Sequence, residues 1–63
     1  MKFAKVIKAK NVRKGDEVFT SDGWKVVVDT DRVRYDHDVV WLYFDNRDHR
    51  EDFEPRERVI VTR

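Results

Sequence analysis

The chain has 63 residues, enough for one small domain, and a formal net charge of only +1 although 43% of its residues are charged. It contains no cysteine, which excludes disulfides and thiolate metal sites. No apolar run approaches the roughly 20 residues that a membrane span needs, and the lysine-bearing N-terminus lacks the apolar core of a signal peptide, so we expect a cytoplasmic protein without a membrane partner.

The aliphatic composition favours strands over helices. Valine occurs eleven times, whereas leucine occurs once and alanine twice. β-branched side chains lose rotamer freedom on a helix but pack well on a pleated sheet. We therefore predict an all-β chain that forms a single domain over residues 1–63.

Apolar runs and turn residues place the strands in chain order. We predict strands at residues 3–8, 17–20, 24–28, 39–44, 49–53 and 59–62, the third of which can continue through a bend to residue 35. Asp22-Gly23 predicts a tight hairpin turn, and Gly15 predicts a positive φ. Asn46 is expected to adopt the left-handed conformation in the turn after residue 44, and Pro55 marks the turn before the last strand.

Alternation within these strands predicts the core. On the fourth strand we assign the aliphatic face to the interior, and on the third we assign the face that carries three apolar residues. Val12 is expected to point inward from the loop before Gly15. The predicted core is Val6, Val18, Trp24, Val26, Val28, Val40, Leu42, Phe44, Phe53, Val59 and Val61.

The spacing of several motifs resembles that of a known group of proteins. These motifs are Val12-x-x-Gly15-Asp16-x-Val18, Asp22-Gly23-Trp24, Val40-x-Leu42-x-Phe44-Asp45, Phe53-x-Pro55 and Val59-x-Val61. They are similar to those of small SH3-like β-barrel proteins of bacteria, especially actinobacteria, and their phages. The resemblance implies an SH3-like barrel of about five antiparallel strands, here with a basic N-terminal strand or segment. One departure is Asp45-Asn46, where such proteins often have Asp-Gly.

Basic residues are concentrated at the N-terminus. Residues 1–14 contain six of them and no acid, so the remaining 49 residues carry a net charge of −5. Lysine and arginine neutralise phosphates, which makes nucleic-acid binding one of two functional hypotheses. The residues that would carry it are Lys2, Lys5, Lys8, Lys10, Arg13 and Lys14. In the alternative interpretation these side chains only solvate an edge strand.

Exposed aromatic residues support the other hypothesis, a protein-binding module. We predict that Phe19, Trp41 and Tyr43 lie on the outside of the sheet and contact a protein partner or a second copy of the chain. Phe19 with Ile60 is a further candidate for the apolar centre. An unpaired edge at residues 3–8 or 59–62 would also permit self-association.

Catalysis and metal binding receive little support from the sequence. Ser21 is the sole serine, and His37 and His49 lie in or beside other loops, so a nucleophile and its base have no sequence signature. The carboxylates near the two histidines match neither a calcium loop nor a zinc site. We expect a non-enzymatic protein with no catalytic residue, metal site, cofactor or small-molecule substrate.

Overall fold

The valine-rich segments form six antiparallel strands in the computed structural model, which describes residues 3–45 and 49–63. The strands are β1 (Ala4–Lys8), β2 (Glu17–Thr20), β3 (Gly23–Val33), β4 (Val39–Phe44), β5 (Arg50–Phe53) and β6 (Arg58–Thr62). A single 3-10 turn, Ala9–Asn11, follows β1, and no α-helix occurs among the described residues. The predicted all-β class is therefore confirmed.

The strands form one sheet in the order β1-β6-β2-β3-β4-β5. β1 and β5 are its edges, and no ladder between them closes the described strands into a barrel. The long strand β3 belongs to two parts of the sheet, because its beginning pairs with β2 and its end pairs with β4. The register shifts between Val27 and Asp29, which is the signature of a β-bulge and bends the strand.

A single apolar cluster joins the two parts of the sheet. It contains Ala9, Val12, Val18, Val27, Val40, Leu42, Phe44, Val59 and Val61. Val18 and Val61 come from the four-stranded part formed by β1, β6, β2 and the start of β3, whereas Leu42 comes from the three-stranded part formed by the end of β3, β4 and β5. Both parts therefore bury one face against a shared core.

Most of the predicted core is confirmed. The structure buries Val18, Val40, Leu42, Phe44, Val59 and Val61, as well as Val12, and packs the half-buried Phe53 against them.

The prediction was wrong for β3 and β1. Trp24, Val26 and Val6 are exposed, and Val28 is half-buried. Val27 is instead fully buried opposite Phe44. Because side chains alternate along a strand, burial of Val27 turns Val26 away from the core, whereas Val28 lies at the bulge and is half-buried.

Backbone conformations at the turns explain the two glycines. Gly23 has a φ of 99° and opens β3 after the two-residue turn at Ser21 and Asp22, while Gly15 has a φ of 95°. Both values lie where a side chain would be strained. Asp45 adopts the left-handed φ of 64° at the end of β4. The predicted left-handed residue, Asn46, lies outside the described residues.

Candidate functional site

A row of apolar side chains crosses the four-stranded part of the sheet on the side opposite the core. Val6 on β1 is directly opposite Ile60 on β6, and Phe19 on β2 is directly opposite Trp24 on β3. The β2–β6 ladder pairs Val18 with Val61, and the same register continued by one residue brings Phe19 opposite Ile60. Directly opposed residues project to the same face, so these four side chains form one continuous row.

We call this surface, with Val26 two residues beyond Trp24, the outer face. Its members are Val6, Phe19, Trp24, Val26 and Ile60, which are exposed by 61%, 52%, 45%, 43% and 40% respectively. Isolated exposed apolar residues are ordinary, but a contiguous set is typical of a surface that contacts another molecule. The outer face is therefore the strongest candidate site on the described part of the chain.

The two aromatic residues of the outer face contact each other. The ring centroids of Phe19 and Trp24 are 5.2 Å apart, with an angle of 62° between the ring planes. This edge-to-face arrangement holds both rings on the rigid β2–β3 hairpin. The hairpin is further fixed by the Thr20 hydroxyl, which donates to the carbonyl of Gly23 at 2.8 Å and accepts from the amide of Asp22 at 3.1 Å.

Charged side chains border the apolar row on both sides. Lys8 and Arg58 are opposite each other, two residues from Val6 on β1 and from Ile60 on β6, and therefore lie on the same face as that pair. Glu17 lies on the other side of the row, opposite Val26 on β3 and Thr62 on β6. An apolar centre with a charged border is the usual anatomy of a protein-binding surface.

The predicted aromatic site is only partly on this surface. Phe19 is exposed as predicted, but Trp41 and Tyr43 lie on β4 in the three-stranded part of the sheet. Trp41 is opposite Asp31, which is seven residues from Trp24 along β3 and hence roughly 20 Å away. The fold therefore does not bring the three predicted residues together.

Tyr43 is buried, with 8% of its surface exposed, so its prediction as an exposed aromatic was wrong. β4 is an inner strand, and Tyr43 lies between Asp29 on β3 and Arg50 on β5. Trp41 is half-buried, and the guanidinium carbon of Arg50 lies 3.7 Å from the centroid of its ring. Residues of the neighbouring strands therefore reduce the exposed surface of both Trp41 and Tyr43.

The hairpin register is the sequence signal that could have identified the outer face. The predicted strands 17–20 and 24–28 left three residues for the turn, a register that puts Phe19 opposite Lys25 and Trp24 on the face of Val18. The turn in the structure has two residues, Ser21 and Asp22, so Gly23 pairs with Thr20 and Phe19 is opposite Trp24. The error in the faces of Trp24 and Val26 therefore came from the length of the turn. Val6 had no comparable signal, since its face depends on pairing with the distant strand β6.

The N-terminal basic residues do not form one surface. Lys5 is opposite the buried Val61, on the core side of β1, whereas Lys8 is opposite Arg58 on the outer face. Lys10 lies in the 3-10 turn, and Arg13 and Lys14 lie in the following loop. All five are exposed. The sixth predicted residue, Lys2, lies outside the described residues.

An open groove of about 650 Å³ lies between the β3–β4 turn and the β5–β6 turn. Its lining includes Lys10, Arg32, His37, Asp38, Phe53 and Glu57. The Arg32 guanidinium donates to both carboxylate oxygens of Asp38 at 2.7 Å, and this pairing lowers the pKa of that carboxyl. Ser21 and His37 lie in the turns at opposite ends of β3, so the groove does not unite a nucleophile with a base.

The acidic residues and histidines of residues 3–45 and 49–63 form no group that could hold a metal ion. Of the carboxylates near His49, Asp48 lies outside the described residues.

One buried carboxylate anchors the loop that precedes β2. Asp16 is 8% exposed and accepts hydrogen bonds from the Arg63 guanidinium at 3.0 and 3.1 Å and from the Arg13 amide at 2.8 Å. Burial raises the pKa of Asp16, but the hydrogen bonds from Arg63 and Arg13 and their positive charges outweigh it, so the pKa lies below its ordinary value of 3.8. The group is structural, because it ties the loop to the end of the last strand.

Comparison of the chain with protein-family models, curated proteins and solved structures gives no match. Within the described residues, no helix has the length and hydrophobicity that crossing a membrane requires.

Proposed function

We propose that this chain is a non-enzymatic protein-binding module that contacts its partner through the outer face. The observation that carries the proposal is the contiguous row of apolar side chains, each at least 40% exposed, across four strands. The proposal keeps Phe19 from the sequence prediction. It replaces Trp41 and Tyr43 by Trp24 and Ile60.

The geometry of the outer face favours binding energetically. Its side chains stand on paired strands, so little backbone freedom is lost when a partner docks. Large aromatic side chains contribute much of the binding energy of protein contacts, and the outer face offers two of them in contact with each other, Phe19 and Trp24. The adjacent cations Lys8 and Arg58 favour a partner segment that is apolar with an acidic residue at one end.

A random peptide library tests the proposal. Peptides selected on the immobilised chain should shift the amide resonances of β2, β3 and β6, and should carry apolar residues with an acidic flank. Trp24→Ser should weaken their binding at least tenfold, since it removes a large aromatic contact of the kind that costs roughly 2 kcal/mol or more.

Tyr35→Ser is the matched control for Trp24→Ser. Tyr35 is 92% exposed and lies in the β3–β4 connection, away from the outer face, so this variant should bind the peptides as the parent chain does. Equal binding by all three chains, or resonance shifts confined to β4 and β5, would remove the outer face as the binding surface.

Nucleic-acid binding through Lys2, Lys5, Lys8, Lys10, Arg13 and Lys14 is the alternative, supported by the exposure of the five side chains that the structure describes. Their distribution over both sides of β1 argues against a broad footprint. Mixed-sequence DNA and RNA titrated at low salt would decide the matter: phosphate contacts predict binding that weakens steeply as salt is raised. No binding at low salt would eliminate this alternative.

We also propose that β2 to β6 correspond to an SH3-like barrel whose seam is open, with β1 as an added edge strand, and that the protein acts in the cytoplasm. Support for the barrel comes from the bend of β3 at its bulge and from the core shared by both parts of the sheet. Side-chain contacts between β5 and β6 across the shared core in a solution structure would support this curled arrangement. A flat sheet in solution would contradict the proposal.

A further inference from the structure

The first strand presents an unpaired edge with a defined pattern of backbone groups. Phe3 and Arg63 exchange both backbone hydrogen bonds at 3.4 Å, and the amide of Ala9 donates to the carbonyl of Glu57 at 2.8 Å. Backbone groups alternate in direction along an antiparallel strand, so the odd-numbered residues of β1 bond to β6. The amides and carbonyls of Ala4, Val6 and Lys8 therefore point away from the sheet.

We propose that two copies of this chain pair along β1, antiparallel and around a two-fold axis at Val6. Val6 is then opposite the partner's Val6, and Ala4 is opposite the partner's Lys8. These contacts use only the outward backbone groups and add about six hydrogen bonds, two for each hydrogen-bonded pair. The proposal rests on the proposed function in one respect, that the partner is a protein, but it uses the edge of the sheet instead of its outer face.

The lysines select this register. With Val6 at the axis, Lys5 is opposite the partner's Ile7, and no two lysines within Ala4–Lys8 are opposed. A shift that places Ala4 opposite the partner's Val6 brings Lys5 opposite the partner's Lys5, at the close spacing of a non-hydrogen-bonded pair, and like charges there are unfavourable. A shift in the other direction pairs fewer residues of β1.

The opposite edge of the sheet is a poorer partner for β1. The amide of Phe44 donates to the carbonyl of His49 at 3.0 Å, so by the same alternation the outward residues of β5 are Arg50 and Asp52. β5 is a residue shorter than β1, and Pro55, two residues beyond its end, lacks an amide proton. A contact between β1 of one copy and β5 of the next would also not close on itself and would give open-ended chains.

Pairing along β1 would join the outer faces of the two copies. Val6 is the first residue of the apolar row, so the row would continue through the partner's Val6 into the second outer face. The assembly would present two peptide-binding surfaces side by side on one continuous sheet. Bivalent partners would then bind more tightly than single peptides.

Amide hydrogen exchange at several protein concentrations tests the register. In the dimer, the amides of Ala4, Val6 and Lys8 should become protected as concentration rises, whereas those of Lys5 and Ile7 should be protected at every concentration because they already bond to β6. In sedimentation, the mass should rise with concentration to that of two chains and no further. The dimer should be weak, as expected of a small interface. Unchanged exchange at Val6 with a monomer mass, or a mass that grows without limit, would overturn the proposal.

Substitutions at Ala4 supply the second test, since this exposed residue is opposite Thr62 within its own chain. Ala4→Lys would oppose two like charges in each of two symmetric pairs and should weaken the dimer roughly 2- to 30-fold, whereas Ala4→Glu should strengthen it. Equal affinities for both variants would contradict the register. Ala4→Lys should leave peptide binding intact, and Trp24→Ser should leave the dimer intact, so failure of the edge contact and failure of the outer face give different results.

Discussion

At the scale of single residues, the network around Asp16 holds together parts of the chain that are far apart in sequence. Its carboxylate binds Arg63 in the last strand region and the Arg13 amide in the loop, while the Arg63 guanidinium also donates to the carbonyl of Asn11 at 2.8 Å. A buried carboxylate is stable in this position only because charged and polar donors replace its hydration. Loss of its charge should therefore be felt in folding.

We predict that Asp16→Asn lowers the free energy of unfolding by about 1.5–3 kcal/mol at neutral pH, the range for a lost hydrogen bond to a charged group. The folded-state pKa of Asp16 lies below 3.8, so the native state binds fewer protons than the unfolded state and the contribution is present above that pH. The difference between the two chains should narrow progressively as pH falls below 3.8. Urea unfolding of both chains at a series of pH values measures this difference in the free energy of unfolding.

Asp38→Asn is the control for this experiment. Asp38 is paired with Arg32 but lies at the surface, where solvent screens the pair, so this variant should unfold nearly as the parent chain does at neutral pH. A larger loss from Asp38→Asn than from Asp16→Asn would refute the anchoring role of Asp16.

At the scale of elements, β3 decides which surface is apolar and exposed. Val27 faces the core, whereas Val26 is 43% exposed on the outer face. Both residues are valine and they are adjacent, so the same substitution at each position compares the two faces of the strand. The bulge after Val27 then shifts the register with β4, so that Asp29 is opposite Tyr43 and Thr30 is opposite Leu42.

We expect Val27→Ala to cost about 2 kcal/mol of stability, because it removes buried methyl groups and leaves a cavity. Val26→Ala should change stability by only about 0.5 kcal/mol, as surface substitutions usually do. Denaturant unfolding of both variants provides the comparison. A Val26→Ala chain that is the less stable of the two would mean that the strand faces the other way.

The sequence was sufficient for the class and order of the elements but not for every face. Strand propensity and turn residues give all six strands, and the aliphatic side of β4 correctly predicts Val40, Leu42 and Phe44 as core. On β3 the number of apolar residues favoured the wrong side, because an apolar outer face and a bulge both break the rule that the richer side is buried. The burial of Tyr43 was not predicted because it depends on the side chains of the two neighbouring strands, β3 and β5, which alternation along β4 alone does not report.

At the scale of the whole molecule, the sheet has more surface than the chain can cover. A chain of 63 residues buries only about 60% of the surface that it exposes when unfolded. The described residues include no α-helix to cover the outer side of the sheet. On the three-stranded part this side carries Asp31 and Asp52 beside Trp41, whereas on the four-stranded part it carries the outer face. The apolar side of an incompletely covered sheet is therefore the surface available to a partner.

Acrylamide quenching of tryptophan fluorescence tests most directly whether the outer face is exposed to solvent. Trp41→Phe leaves Trp24 as the single reporter, and Trp24→Phe leaves the half-buried Trp41 beneath Arg50. We expect stronger quenching and a redder emission from Trp24 than from Trp41 at low protein concentration. A blue-shifted Trp24 that acrylamide quenches less than Trp41 would contradict an exposed outer face.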